Sequence, residues 1–118
     1  VLVRKNQVTL GTLVLAANRN FISASELTRD ELLELPDVVE RLESALSGAF
    51  GFDKINYLLL MMSDRHYHSH VVPRYESPRE FIGIKWIDDG WPGPPNVATP
   101  ETREATLLAI KNHLGRYI

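Results

Sequence analysis

The chain has 118 residues and no cysteine. That absence excludes disulfides, thiolate zinc sites and cysteine-ligated iron–sulfur clusters, and it fits a reducing compartment. Long apolar runs are also missing. The longest candidate, "YLLLMM" at 57–62, has the length of a strand and falls far short of the ~20 residues that span a bilayer. Net charge is small, with 13 Lys and Arg against 15 Asp and Glu. No global field therefore draws the chain to nucleic acid or to a membrane, and an anionic ligand must be held by local groups. No repeat and no low-complexity tract occurs. No secretory leader is read at the start, so the expected location is the cytoplasm. The chain opens on "VLVRKNQVTL", which already reads as strand, and further residues are expected upstream of Val1.

What is there is an ordinary soluble composition, 44% apolar and 24% charged. The length suits one domain over residues 1–118. A chain of this size buries roughly two-thirds of its surface without covalent staples.

Val1 to Val3 and Thr12 to Ala16 flank Gly11 and read as two antiparallel strands. Asn18 to Asn20 reads as a polar turn. Thr28 and Glu31 match a capping box, so a helix should start there. Pro36 is expected to interrupt that helix or to restart it at a first-turn position. Val38, Val39, Leu42, Ala45, Leu46 and Ala49 form one helical face, which predicts a core-covering element without chemistry. Gly48 and Gly51 bracket its end.

Lys54 to Met62 reads as a strand with no wet face, hence central and covered on both sides. Ser63 to Arg65 is a tight turn, His66 to Tyr75 the next strand, and Phe81 to Ile87 a further one. The stretch from Asp88 to Pro100 holds four of the seven prolines and reads as loop. Thr99 is expected to cap a last helix with Pro100 at its first position, Leu107, Leu108 and Leu114 forming the apolar stripe and Gly115 the end. The sum is an α+β chain: a mostly antiparallel sheet with helices on one side.

Three of the four histidines fall in "DRHYHSHVVPRY" at 64–75. Alternate side chains of a strand share a face. His66, His68 and His70 are therefore expected together on one face, opposite Tyr67, Ser69 and Val71. Three readings follow from the residues. The first is a solvated strand face, which leaves three alternating imidazoles without a reason. The second is a metal site. His66 and His70 lie roughly 14 Å apart on an extended strand, so one ion takes two neighbours, His66 and His68, and needs a third ligand such as Asp64 or Asp88. The third is an array along a substrate that is itself a row, a nucleotide with a chain of phosphates. The central imidazole then attacks phosphorus while the outer two orient and balance charge. The preceding Ser63-Asp64-Arg65 turn brings N–H groups, a hydroxyl and a guanidinium suited to phosphate oxygens.

His66-Tyr67-His68-Ser69-His70-Val71-Val72 resembles the histidine triad pattern, His-x-His-x-His followed by two apolar residues, and Pro73-Arg74 continues the likeness. "LGTLVLAA", "LTRDELLEL" and "KINYLLLMM" resemble the family's second strand, helix start and the strand before the triad. Phe81 through Trp91-Pro92 resembles the tail of a bacterial branch described as similar to diadenosine tetraphosphate hydrolases. The resemblance implies a sheet of about five antiparallel strands with two helices, paired into a homodimer. It implies nucleotidyl transfer or hydrolysis at the α-phosphorus of a nucleoside phosphate, of dinucleoside polyphosphate or phosphoramidate type. His68 is the implied nucleophile, forming a covalent nucleotidyl-histidine, with His66 and His70 assisting and no metal or other cofactor required.

The chain departs from the pattern in two places. Where many members carry a fourth histidine, it reads Ala16-Ala17-Asn18-Arg19-Asn20, with Arg19 or Asn20 as stand-ins. Where many carry a Gly-Gln element, it reads Met61-Met62-Ser63-Asp64-Arg65. Ser63 and Arg65 are the candidate phosphate contacts there, and Asp64 repels phosphate if it points inward. These departures keep two alternatives open: a non-catalytic nucleotide-binding module, and a zinc hydrolase using His66 and His68.

Asn56, a polar residue in an apolar strand, is weighed between a structural amide and a nucleotide contact. Arg74 is weighed between phosphate binding and a structural ion pair. Trp86 and Trp91 are weighed between base stacking and packing, and His113 is read as a cation favourable to a helix C-terminus.

Overall fold

A computed structural model describes residues 1–118. Four strands form one antiparallel sheet: β1 Leu2–Val3, β2 Leu13–Ala16, β3 Lys54–Leu58 and β4 His68–Arg74, in the order β1-β2-β4-β3. β5 Arg79–Phe81 and β6 Ile84–Trp86 form a separate antiparallel hairpin. Helix α1 spans Arg29–Phe50 and α2 spans Glu104–Leu114. No helix is long and apolar enough to cross a membrane. The architecture is α+β, as the pattern predicts. The sheet expected to have about five strands divides into four plus a detached pair.

The capping box forms as read: the Thr28 hydroxyl accepts from the Glu31 N–H at 3.2 Å, and the Glu31 carboxylate accepts from the Thr28 N–H at 2.8 Å. Gly51 closes the helix in the left-handed conformation at φ 61°, a geometry that costs glycine nothing. Pro36 neither stops nor restarts it; α1 runs continuously through. Pro36 and the carbonyl-bearing Leu32 before it are exposed, so water can satisfy the carbonyl that loses its N–H partner. Of the predicted apolar face, Leu42, Ala45 and Leu46 are buried and Val38, Val39 and Ala49 half-buried, and Phe50 joins the buried set.

That face packs on Leu13 and Val71, which sit opposite one another across β2 and β4, and on Ile110 and Leu114 of α2. At Gly11, φ is 86° and an added Cβ would lie 2.8 Å from the Phe50 ring. Only glycine meets both demands there.

Three expectations change. The strand from Lys54 ends at Leu58 and lies at the sheet edge, while β4 is central with partners on both sides. Leu59, Leu60 and Met62 are exposed, and Met61 turns the chain with φ 53°. A run of apolar residues looks like a buried strand whether it fills a core or walls an open cleft. The expected strand Phe81 to Ile87 is instead the second half of a hairpin. Its tip, Ile82-Gly83, has positive φ at both residues, the geometry of a two-residue hairpin turn. The last helix starts at Glu104, not after Thr99, because the Thr102 N–H donates to the Lys5 carbonyl at 2.9 Å and Asn6 donates to the Thr99 carbonyl at 2.7 Å. The 99–102 segment is thereby held against the N-terminal loop, and the buried stripe of α2 is Thr106, Ile110 and Leu114, with Leu108 outside.

Candidate active site

The face of the sheet turned away from Leu13 and Val71 carries His68 and His70. Alternation along β4 places them there, and their neighbours on β2 are Ala16 and Val14. Both are smaller than Leu13 and Leu15 on the opposite face of β2, which leaves room above the two imidazoles. β3 stops opposite His70, so His68 borders the 59–65 loop instead of a strand. The two rings lie 5.0 Å apart, edge to face.

His66 does not join them on the strand. It sits in a bend before β4, where the Asp64 carboxylate accepts its N–H at 2.9 Å and its own Nε2–H donates to the Ala17 carbonyl. The expected row of three rings is thus two rings on the strand and one folded across to β2. The local cause is the anchor at Tyr67, whose N–H donates to the Phe21 carbonyl at 2.8 Å and whose ring stacks on Phe21 at 4.8 Å. The chain bends ahead of that anchor.

His66 keeps a link to His68 through its backbone. The His68 Nδ1 lies 2.7 Å from the His66 carbonyl oxygen. A carbonyl only accepts, so Nδ1 must carry the proton, and in the neutral ring Nε2 holds the free electron pair. His68 is almost wholly buried, which fixes the ring that presents that pair. His70 has a buried Nδ1 without a partner. Burial, then the charge of Arg4, then His68 push its pKa below the ordinary histidine value. His70 is therefore a neutral imidazole at neutral pH.

His68 and His70 line a cleft of about 1050 Å³. The 59–65 loop supplies Leu60, Met61, Met62, Ser63 and Asp64 to its wall. β1 and the following residues supply Leu2, Arg4 and Lys5, and α2 supplies Leu107, Leu108 and Lys111. Sequence reading missed these last two groups. β1 and α2 flank the triad only through tertiary packing, and no motif marks them. The one available signal is strand alternation, since Leu2 stands opposite Val14 and Val14 opposite His70.

The other predicted contacts divide. Ser63 lines the cleft. Arg65 is exposed beside it. Asn56 and Arg74 lie outside the histidine cleft and border a second hollow: Arg74 donates to Asp88 at 2.7 Å, to Asn56 at 2.7 Å and to the Gly93 carbonyl at 2.7 Å. Four residues beyond His70 on β4, Arg74 lies roughly 13 Å farther along the strand. Its charge and the Asn56 amide are used in tying the 88–93 loop to the sheet. Asp88 completes the knot by accepting the Tyr75 N–H at 3.1 Å. Arg19 does not replace a fourth histidine, because Glu31 holds it at 2.9 Å and its guanidinium sits over Phe21. Trp86 packs against the core, while Trp91 lines a separate hollow with Lys54 and Pro94. His113 acts as a donor to the Ala49 carbonyl at 3.0 Å and packs among Phe50, Phe81 and Tyr117.

No three His, Asp or Glu side chains converge to hold a metal ion. Of the third ligands suggested for a zinc site, Asp88 is tied to Arg74 through both oxygens, and Asp64 accepts the His66 N–H through one. What the cleft offers is a lone pair on a fixed imidazole, a second neutral imidazole beside it, a hydroxyl, and three cations, Arg4, Lys5 and Lys111, in its lining. Such a set can attack an electrophile that carries negative oxygens.

No family model matches the chain, and no curated protein matches it. Solved structures do. A hypothetical histidine triad nucleotide-binding protein from Sulfolobus tokodaii superposes with a TM-score of 0.73 at 19% identity, over 98% of this chain and 74% of that one. A histidine triad (HIT) protein from Sinorhizobium meliloti gives 0.75 at 22% identity, over 97% and 78%. A zinc-bound histidine triad family protein from Mycobacterium smegmatis gives 0.63 at 16% identity, over 97% and 76%. At these identities the likeness is one of fold: the chain folds as histidine triad proteins do.

Proposed function

We propose that this chain is a nucleotide hydrolase or nucleotidyl transferase of the histidine triad family, with His68 as nucleophile. The observation that carries the reading is the hydrogen bond from His68 Nδ1 to the His66 carbonyl, which leaves Nε2 unprotonated on a residue that lines the cleft. Nε2 forms a bond to the α-phosphorus of a nucleoside phosphate as the bond from phosphorus to the leaving group breaks, and the leaving group departs with that electron pair. The imidazole of the adduct is cationic, and the His66 carbonyl stabilises it through Nδ1–H. Water then attacks phosphorus, the N–P bond breaks, its pair returns to Nε2, and the water protons pass to product and solvent. Ser63 and His70 contact the phosphate oxygens in this reading, and Arg65 reaches in from the rim.

The substrates are dinucleoside polyphosphates or nucleoside phosphoramidates, in keeping with the bacterial diadenosine tetraphosphate hydrolase-like branch. The reaction needs no metal or other cofactor. Residues 1–118 act as one domain in a cytoplasmic homodimer. The open edge of β3, with Tyr57 and Leu59 exposed beside it, supports a partner there.

The test is a single-turnover reaction with diadenosine tetraphosphate and with adenosine phosphoramidate, read by mass spectrometry. A gain of one adenylate on His68, absent in His68→Ala, is expected. Unchanged turnover in His68→Ala sinks the reading. Tight nucleotide binding without turnover of any substrate replaces it with a binding module.

A further inference from the structure

Three ion pairs form in this molecule, Arg19–Glu31, Arg74–Asp88 and Arg79–Asp53. None involves Arg4, Lys5 or Lys111, the three cations that line the cleft of His68 and His70. A guanidinium left without a carboxylate in partly buried surroundings is costly. Arg4 is in that position, with one guanidinium bond, to the Asn6 carbonyl at 2.8 Å, and burial pushes its pKa down.

The position of Arg4 is built rather than incidental. Its N–H donates to the Thr12 carbonyl at 3.0 Å, which prolongs the β1–β2 ladder by one step. Alternation then puts its side chain on the same face as Leu2, Val14 and His70. The buried amide of Gln7 holds the turn behind it, donating to the Arg4 carbonyl at 2.8 Å and to the Thr12 carbonyl at 2.7 Å. It also accepts the Gly11 N–H at 2.9 Å and the Thr12 N–H at 3.0 Å. The loop that follows Arg4 is tied to the approach of α2 by the bonds from Thr102 to Lys5 and from Asn6 to Thr99. The two elements that carry the cations are thus fastened to each other.

Two acids share the cleft, Asp64 and Glu104. The Asp64 carboxylate keeps its charge while accepting the His66 N–H, and it forms no ion pair with Arg4, Lys5 or Lys111. Glu104 stands seven residues before Lys111 on α2, roughly 10 Å along the helix axis, so it does not neutralise Lys111.

We infer that Arg4, Lys5 and Lys111 form an anion subsite that binds the leaving group and selects substrates whose leaving group carries several phosphate charges. The inference rests on the nucleotidyl-transfer reading for what is transferred, but the subsite itself is a matter of binding. Of the two substrate types above, it favours the polyphosphate over the phosphoramidate, whose departing nitrogen carries no anionic charge for these cations to meet. Arg4 lies nearest the histidines and meets the phosphates next to the scissile bond. Lys5 and Lys111 meet those beyond it.

The probe is inorganic tripolyphosphate, titrated calorimetrically into the wild-type protein, the Arg4→Gln/Lys111→Gln double variant and Arg4→Lys, with circular dichroism as the fold check. Wild type is expected to bind it, with affinity falling as salt rises. The double variant should bind at least tenfold more weakly, and Arg4→Lys should recover part of the loss. Lys111 is exposed on α2, so Lys111→Gln alone leaves the fold intact and should weaken binding severalfold. Absence of tripolyphosphate binding to wild type, or equal affinity in the double variant, overturns the subsite. A kinetic arm adds the ratio of kcat/KM for diadenosine tetraphosphate to that for adenosine phosphoramidate. The ratio should fall at least tenfold in the double variant, and an unchanged ratio overturns the selectivity. If His68→Ala kept full turnover, the nucleotidyl-histidine reading would fail while the tripolyphosphate result stood by itself.

Discussion

The ring of His68 donates from Nδ1 to the backbone carbonyl of His66 at 2.7 Å. The two histidines thus act through different parts of the residue. His68 contributes a side chain, and His66 contributes a carbonyl that sets the tautomer of that side chain. The His66 ring is turned to Ala17 instead, where it holds the bend before β4 against the end of β2.

Substitution should separate these jobs. His68→Ala removes the nucleophile and is expected to lower single-turnover rate by about 10³-fold or more. His66→Ala keeps the carbonyl and loses only the tie to Ala17. Its rate should fall by no more than ~100-fold, the scale of a misplaced catalytic group. Rapid-quench measurement on both variants checks this, and equal losses would mean that the His66 ring itself takes part in the chemistry.

His70 gives a pH prediction. Burial comes first, then Arg4 and His68, in depressing its pKa. Its folded value therefore lies below the unfolded value of ~6.5. Above ~6.5 both states are neutral and stability is at its full level. As pH falls through ~6.5 and on toward the folded value, the unfolded state takes up the proton first, and stability is lost across that window. NMR titration should find the His70 midpoint below that of a free histidine. Arg4→Gln should move its midpoint upward, and a midpoint that does not move would place Arg4 out of electrostatic reach.

Much of this was legible in the sequence because some signals are local. Thr28 with Glu31, Gly51 at the end of α1, and the alternation of His68 and His70 each need only a few neighbouring residues to be read. The edge position of β3 was not legible. Leu59, Leu60 and Met62 are as apolar as a core strand, and only the open cleft beside them explains their exposure. That Arg74 and Asn56 lie away from the histidine cleft was not legible either, since Arg74 pairs with Asp88, fourteen residues on, and donates to Asn56, through a loop whose path carries no sequence mark. Arg4 and Lys111 reach the site across the whole length of the chain, and spacing alone could not bring them together.

The Arg74–Asp88 pair predicts stability rather than activity. The two side chains are 5% and 1% exposed. Breaking such a pair from one side leaves a buried charge and costs about 3–5 kcal/mol. Asp88→Asn should therefore lower the urea midpoint sharply. Arg74→Met with Asp88→Leu should recover only part of the loss, because the Tyr75 N–H also needs Asp88 as acceptor. A folded Asp88→Asn protein within 1 kcal/mol of wild type, by the same extrapolation, would show that the loop is not held this way. The catalytic constants of any folded fraction should stay close to wild type, since the pair lies far from His68.

Gln7 joins the fold to the chemistry. Its amide spans both sides of the turn between β1 and β2, with Arg4 and Thr12 as the residues it fixes. Gln7→Leu keeps the volume and strips all of these bonds, leaving the Gly11 N–H and the Arg4 carbonyl without their partner, each a matter of about 1–3 kcal/mol. The loop has room to relax, so the net loss should be about 2–4 kcal/mol, read from urea unfolding. The same change frees Arg4 to leave the cleft. Tripolyphosphate affinity should then drop together with stability in Gln7→Leu, measured on the protein under conditions where it is fully folded. A variant that loses stability but binds tripolyphosphate as wild type does would show that the guanidinium finds the anion without the turn. The preorganisation argued for the subsite would then be wrong, even with its charge still required.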